Sequence, residues 1–98
     1  MDQQTYVAKT QSGIVLVEFG AQWCVPCKHM APILQRVLET FPQITLVNID
    51  VDQSARLVQQ IGIASVPTLI VYRDGNPVKT LYGSQTERAL SKALQECA

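Results

Sequence analysis

Two short apolar runs separated by a long amphipathic pattern constrain the fold of this chain more than any other feature. The first run spans Ile14 to Phe19 and the second spans Ile44 to Val51. Both are short and rich in β-branched residues, which is typical of strands buried in a sheet. Between them, apolar residues recur every three or four positions and predict one face of a helix: Met30, Ile33, Leu34, Val37, Leu38 and Phe41. A strand–helix–strand unit predicts two parallel strands joined by a right-handed crossover.

The flanking segments complete an α/β pattern around this unit. In chain order they predict a helix from Gln3 to about Gln11 capped by Asp2, a short helix from Asp52 to a Gly62 cap, a strand from Thr68 to Arg73, an Asp74-Gly75 hairpin turn, a strand from Val78 to Tyr82, and a last helix opened by a capping box at Ser84 to Glu87. We therefore expect one α/β domain over residues 1–98, with a four-stranded mixed sheet and helices on both faces.

Charge and composition exclude several classes of function. Eight basic residues balance eight acidic ones and no block of like charge occurs, so we expect no nucleic-acid partner. The apolar runs are too short to span a membrane, and residues 1–4 resemble no signal peptide, so no membrane association is expected. Three cysteines are too few for a disulfide scaffold and indicate a reducing compartment. We expect a cytoplasmic protein.

Cys24 and Cys27 lie at the junction between the first strand and the following helix. Such a pair can form a disulfide, bind a metal or attack a disulfide in another molecule. A zinc site needs two further ligands, and only His29 and Cys97 remain, with His29 on the wrong side of the helix, so we expect no metal. A purely structural disulfide would close too short a loop to stabilise the chain much. Disulfide exchange is therefore favoured.

The predicted helix start gives the two thiols different roles. Unpaired N–H groups at a helix N-terminus favour a thiolate, the form of cysteine that attacks disulfides. Pro26 fits the first turn of the helix, where a missing N–H costs nothing. Cys24 is therefore the expected nucleophile. Cys27 lies one helical turn further on, is expected to be more buried, and would resolve the mixed disulfide.

Several separate segments resemble the thioredoxin family. They are Val17 to Lys28, which includes Trp23-Cys24-Val25-Pro26-Cys27, together with Ala31-Pro32, Ile63 to Thr68, Asp74-Gly75 and Tyr82-Gly83. The resemblance covers about residues 3 to 97 and implies a thioredoxin fold, here without the first edge strand of the family. It implies a monomeric protein-disulfide reductase with no bound cofactor and a redox-active Cys24–Cys27 disulfide. Its partners would be disulfide-containing proteins and, as electron donor, a flavin- and NADPH-dependent thioredoxin reductase.

Glu18 interrupts the first apolar run. If its side chain points inward, loss of hydration should raise its pKa, and the carboxylate could then take a proton from Cys27 through a water molecule. The thioredoxin family has a buried acid at this position and often pairs it with a lysine on the next strand. This chain has Leu46 at the matching place. The resemblance thus makes Glu18 a candidate catalytic residue without that cation.

The resemblance also implies residues that contact the substrate. In the family, the proline that matches Pro67 is cis and lies against the cysteine pair, so the resemblance also makes Pro67 a candidate catalytic residue. The backbone of Val66 would then pair with an extended substrate segment. The other expected substrate-binding residues precede the pair, lie between its two cysteines or follow the last strand: Trp23, Val25, Pro26 and Gly83.

Two positions depart from the common thioredoxin pattern. Val25 stands where the commonest motif has glycine. Valine occurs at this position in some envelope-anchored thioredoxin-like reductases. Gly20 stands where many members carry a second tryptophan. Two alternatives to a general reductase therefore stay open. One is a pathway-specific thioredoxin-like reductase, and the other is a non-catalytic binding module with a thioredoxin fold.

Overall fold

The structure, a computed structural model, describes residues 1–98 and contains all eight predicted elements in the predicted order. They are α1 (Gln3–Thr10), β1 (Ile14–Gly20), α2 (Val25–Glu39), β2 (Ile44–Asp50), α3 (Ala55–Ile61), β3 (Thr68–Arg73), β4 (Asn76–Tyr82) and α4 (Glu87–Cys97). None of the four helices has both the length and the apolar character that a membrane span requires.

The four strands form one mixed sheet in the order β2-β1-β3-β4. β1 pairs with β2 in parallel and with β3 antiparallel, and β4 continues the sheet antiparallel to β3. The predicted four-stranded mixed sheet is therefore confirmed. β2 lies at one edge of the sheet and has a hydrogen-bonding partner on one side only.

Helices pack on both faces of the sheet because the side chains of β1 alternate between two apolar cores. Leu16 of β1 packs in the core formed with α2 and α4, whereas its neighbours in the chain pack in the second core, which includes Tyr6 of α1 and Leu57 of α3. The buried residues that α2 and α4 contribute to the first core are Met30, Leu34, Val37, Leu90, Leu94 and Cys97. The apolar face predicted for α2 is thus confirmed, and α4 buries one of its own against the same core.

The predicted helix caps were partly wrong. Asp2 does cap α1, since its carboxylate accepts a hydrogen bond from the Thr5 N–H at 2.8 Å. For α3 the cap is Ser54 rather than Asp52, because residues 51–54 form a turn and the helix begins only at Ala55. For α4 the cap is Thr86 rather than Ser84, and its hydroxyl accepts from the Ala89 N–H at 3.0 Å.

The hairpin between β3 and β4 is tighter than predicted, and β4 begins at Asn76 rather than Val78. Asp74 and Gly75 have φ angles of 50° and 88°, the left-handed conformation that a two-residue type I′ turn requires. With only these two residues in the turn, Arg73 already pairs with Asn76.

We predict that Leu94→Ala destabilises the fold strongly. Leu94 is fully buried between α4 and the sheet, so its truncation leaves a cavity and should lower the free energy of unfolding by about 2–5 kcal/mol. The neighbouring Gln95 is exposed, and Gln95→Ala should change this free energy by no more than about 0.5 kcal/mol. Urea denaturation monitored by circular dichroism measures both, and equal losses in the two variants would contradict this packing.

Candidate functional site

Cys24 and Cys27 form a disulfide at the N-terminus of α2, with their Cα atoms 5.3 Å apart. Cys24 is the N-cap of the helix, and its sulfur accepts a hydrogen bond from the Cys27 N–H at 3.2 Å. Pro26 lies in the first turn, as predicted. The local sequence thus starts the helix at the reactive pair itself. The sulfur atom of Cys24 lies where unpaired backbone N–H groups favour negative charge.

The two residues considered as further metal ligands lie apart from this pair. His29 is exposed on α2, and the Cys97 thiol is buried in the core at the end of α4. No three histidine, cysteine, aspartate or glutamate side chains gather where they could hold a metal ion. A metal site formed by these four residues has no support in the geometry.

The relative burial of the two cysteines differs from the prediction. Cys24 is 3% exposed and Cys27 is 7% exposed, so the expectation that Cys27 is more buried is wrong for this disulfide state. The bond brings each sulfur against the other, and the first turn of α2 covers Cys24 with the Cys27 N–H. Exposure does not distinguish the two thiols, whereas the N-cap position of Cys24 does.

The loop before β3 lies at the same end of the sheet as the disulfide, because Thr68 pairs with Phe19 near the end of β1. The Val66–Pro67 bond is cis, as the family resemblance implied, and the Pro67 side chain is fully buried. The Gly83 N–H donates to the Pro67 carbonyl at 2.9 Å. Gly83 has a φ of 77°, which glycine adopts without strain, so it fixes the loop through the backbone.

Glu18 projects from β1 toward α2, on the same face of the sheet as Leu16. Its side chain is half-buried and makes no hydrogen bond or ion pair, and this burial raises the pKa of the carboxyl group as predicted. Gly20 faces the same side. A Cβ at Gly20 would lie 3.4 Å from Cys27 Sγ and 3.7 Å from Glu18 Oε1, so no side-chain atom of residue 20 stands between the two groups.

A second group of residues forms an apolar cavity of about 380 Å³ that includes Trp23, the residue before Cys24, and it is named here the substrate cavity for the role proposed for it below. Its main lining residues are Trp23, Val51, Val58, Ile63 and Val66. Trp23 is 65% exposed, and its indole N–H donates to the Asp52 carboxylate at 2.8 Å. Val25, on the other side of Cys24, is 57% exposed. Exposed apolar side chains therefore lie on both sides of Cys24 in the chain.

Sequence reasoning missed the partners that lie across the sheet. Asp52, predicted as a helix cap, instead orients Trp23. Asn48, not Leu46, is the register partner of Glu18, although Leu46 lies near the same carboxyl group. The predicted parallel pairing of β1 and β2 could have indicated the contact between Asp52 and Trp23. The carboxyl ends of parallel strands meet at one edge, which brings the residues after each strand together.

Comparison with known proteins identifies relatives over nearly the whole chain. The family model described as Thioredoxin matches residues 2–96. A thioredoxin of Chlamydia muridarum is 35% identical over 96 residues, which is 98% of this chain and 94% of the relative. A thioredoxin of Bacillus subtilis is 37% identical over 94 residues, 95% of this chain and 90% of the relative. The solution structure of oxidised thioredoxin from Plasmodium falciparum superposes with a TM-score of 0.86 at 32% identity, covering 99% and 93% of the two chains.

We predict that Glu18 makes stability depend on pH. Its folded-state pKa is raised above the ordinary value of 4.5, so the folded protein binds more protons than the unfolded chain between these two pKa values. The free energy of unfolding should therefore fall as the pH rises through this window and should level off above it. Glu18→Gln should remove this decrease in the free energy of unfolding. The variant should therefore become more stable relative to wild type as the pH rises.

Urea denaturation of the disulfide form between about pH 4 and about pH 8 measures this difference. The matched control is Glu39→Gln. Glu39 is exposed, so its carboxylate loses little hydration on folding and its removal should give no comparable gain at high pH. A constant difference between Glu18→Gln and wild type across the range would refute the effect.

Proposed function

This chain belongs to the thioredoxin family and is a thiol–disulfide oxidoreductase, and from that premise we propose that it reduces disulfide bonds in other proteins. The observation that carries the proposal is the position of the Cys24–Cys27 disulfide. It caps the N-terminus of α2. The Pro67 loop and an apolar cavity lie at the same end of the sheet.

In the first step, the Cys24 thiolate of the reduced protein attacks one sulfur of the substrate disulfide. The bond between the two substrate sulfurs breaks, a bond between Cys24 and the substrate forms, and one substrate thiolate leaves and takes up a proton. The helix N-terminus favours the Cys24 thiolate because the Cys27 N–H already points at its sulfur.

In the second step, Cys27 attacks Cys24 and releases the second substrate thiolate. The enzyme is left with the Cys24–Cys27 disulfide, so two electrons pass to the substrate. Cys27 must first lose its proton, and we assign its acceptor to Glu18. The raised pKa of this carboxyl group makes it a better base than an ordinary glutamate. Its position near Cys27 Sγ, with no side chain at Gly20 between them, suits transfer through a water molecule.

Substrate binding is assigned to the exposed surface around the disulfide. Trp23 and the substrate cavity offer apolar contact, and Val25 and Pro26 are exposed beside Cys24. Val66 precedes Pro67, and we assign its backbone to pair with an extended segment of the substrate. Gly83 supports this loop through its hydrogen bond to Pro67. The branched side chain at Val25 would narrow the range of substrates relative to a glycine.

The partners and setting follow from the family and from the cysteines. Thioredoxins act on disulfide-containing proteins, use a cysteine pair without a cofactor and are reduced by thioredoxin reductase. For this chain we propose a flavin- and NADPH-dependent thioredoxin reductase as electron donor, no bound cofactor, and a single monomeric domain over residues 1–98. The buried free thiol of Cys97 agrees with a reducing compartment, and we propose the cytoplasm.

We predict that Cys24→Ser no longer accelerates the reduction of insulin by dithiothreitol, because serine cannot form the mixed disulfide. Only the uncatalysed rate should remain. Cys27→Ser should instead accumulate a covalent adduct with substrate, since the resolving thiol is missing. The matched control is Cys97→Ala, which removes the thiol outside the site and should keep the wild-type rate. Turbidity and non-reducing electrophoresis measure these outcomes. Equal turbidity curves for wild type and Cys24→Ser would contradict the proposal.

We also predict that Trp23→Ala separates protein substrates from small ones. The exposed indole contributes to the substrate cavity, so its loss should raise the KM for insulin about three- to tenfold, equivalent to about 1 kcal/mol. Reduction of the small disulfide 5,5′-dithiobis(2-nitrobenzoate) by the reduced protein should change little. Val78→Ala removes an exposed apolar side chain outside the lining of this cavity and serves as the control. A parallel loss toward both substrates would contradict a docking role.

A further inference from the structure

The outer edge of β2 is an unprotected sheet edge. Every strand-to-strand contact of β2 is with β1, and no other segment hydrogen-bonds to its outer side. Natural edge strands usually carry lysine, proline or a bulge that prevents pairing with another chain. The opposite edge, β4, has Pro77, Lys79 and a register irregularity against β3. β2 reads Ile-Thr-Leu-Val-Asn-Ile-Asp and has none of these features.

A cavity of about 470 Å³ lies directly beside this edge, between β2 and α2, and is named here the edge groove. Leu34, Leu38 and Leu46 give it an apolar lining, and its polar groups come from Glu18, Gln35, Glu39 and Asn48. None of its lining residues is basic. Arg36, close to this groove in sequence, pairs with Glu87 of α4 at 2.9 Å.

The polar groups of the edge groove have no partners within the chain. Glu18 and Glu39 make no hydrogen bond or ion pair, and the Asn48 amide, which is exposed opposite Glu18, makes none either. A half-buried carboxylate without a cation is unfavourable, and a cation entering the groove would relieve this cost. The groove therefore combines apolar walls, negative charge and an open strand edge.

We propose that β2 binds an extended segment of a partner protein that adds a strand to the sheet and places a lysine or arginine in the edge groove. Strand addition would satisfy the outward backbone N–H and C=O groups of β2. The aliphatic part of the basic side chain would lie over the leucines, and its charge would reach Glu18 and Glu39. This surface is separate from the substrate cavity, so the inference goes beyond the proposed function.

Charge argues against a second copy of this chain as the occupant. Two β2 strands paired across a two-fold axis would each offer no basic residue to the other. They would also bring two pairs of uncompensated carboxylates toward one edge, which is unfavourable. A basic segment complements the same groups.

A bound cation would also act on the redox site. Placed beside Glu18, it would lower the pKa of a carboxyl group that burial alone raises. Occupancy of the edge groove would thereby alter the proton acceptor assigned to Cys27. Lowering of the Glu18 pKa on binding is a signature that a contact elsewhere on the protein would not produce.

The test uses the full chain in its disulfide form, labelled with ¹⁵N, and two blocked peptides. One has the sequence Thr-Val-Lys-Val-Thr, and the other carries glutamate in place of lysine. The lysine peptide should shift the amide resonances of residues 44–50, should bind about tenfold or more tightly than the glutamate peptide, and should lower the Glu18 pKa. Because no thiol reacts in this experiment, its result is independent of disulfide exchange.

Two variants with the same charge change locate the binding. Asn48→Lys places a cation in the edge groove, whereas Thr45→Lys places one on the opposite face of the same strand. Both positions are exposed, so both proteins should fold. Asn48→Lys should weaken binding of the lysine peptide by about tenfold, and Thr45→Lys should weaken it by less than about twofold. The proposal would be overturned if the two peptides bound equally or if the two variants had equal effects. It would also be overturned by resonance shifts centred on Trp23, or by sedimentation that shows a wild-type dimer formed through β2.

Discussion

β1 lies in the centre of the sheet with helices packed on both of its faces, and the arrangement of the whole molecule follows from its burial. Its side chains alternate between the α2–α4 core and the α1–α3 core. The end of β1 consequently points at the start of α2, where Cys24 caps the helix. The same strand carries Glu18 on the face toward α2. One buried strand thus positions the disulfide and the nearby acid together.

The chemistry of the site arises from several elements that meet at one end of the sheet. The N-terminus of α2 favours a thiolate at Cys24. The Pro67 loop lies beside the end of β1 because β3 runs antiparallel to it, and Gly83 holds this loop through a backbone hydrogen bond. The turn after β2 supplies Asp52, which orients Trp23. No single segment of the chain contains all of these groups, and the sheet topology assembles them.

Glu18 connects two surfaces that otherwise lie apart. On one side it is near Cys27, with Gly20 leaving the path between them free of side-chain atoms. On the other side it lines the edge groove next to β2. Because β2 pairs on one side only, the groove that contains this carboxyl group stays open to solvent.

The sequence by itself determined the order of elements, the buried β1 strand, the apolar face of α2, the reactive cysteine pair and the raised pKa of Glu18. These properties depend on local periodicity, on the residue types at a helix start and on the cost of placing a carboxyl group in an apolar strand. Tertiary structure alone decided the similar burial of Cys24 and Cys27, the Asp52–Trp23 contact and the pairing of Glu18 with Asn48. Those depend on strand register and on the packing of distant segments, which local sequence patterns do not encode.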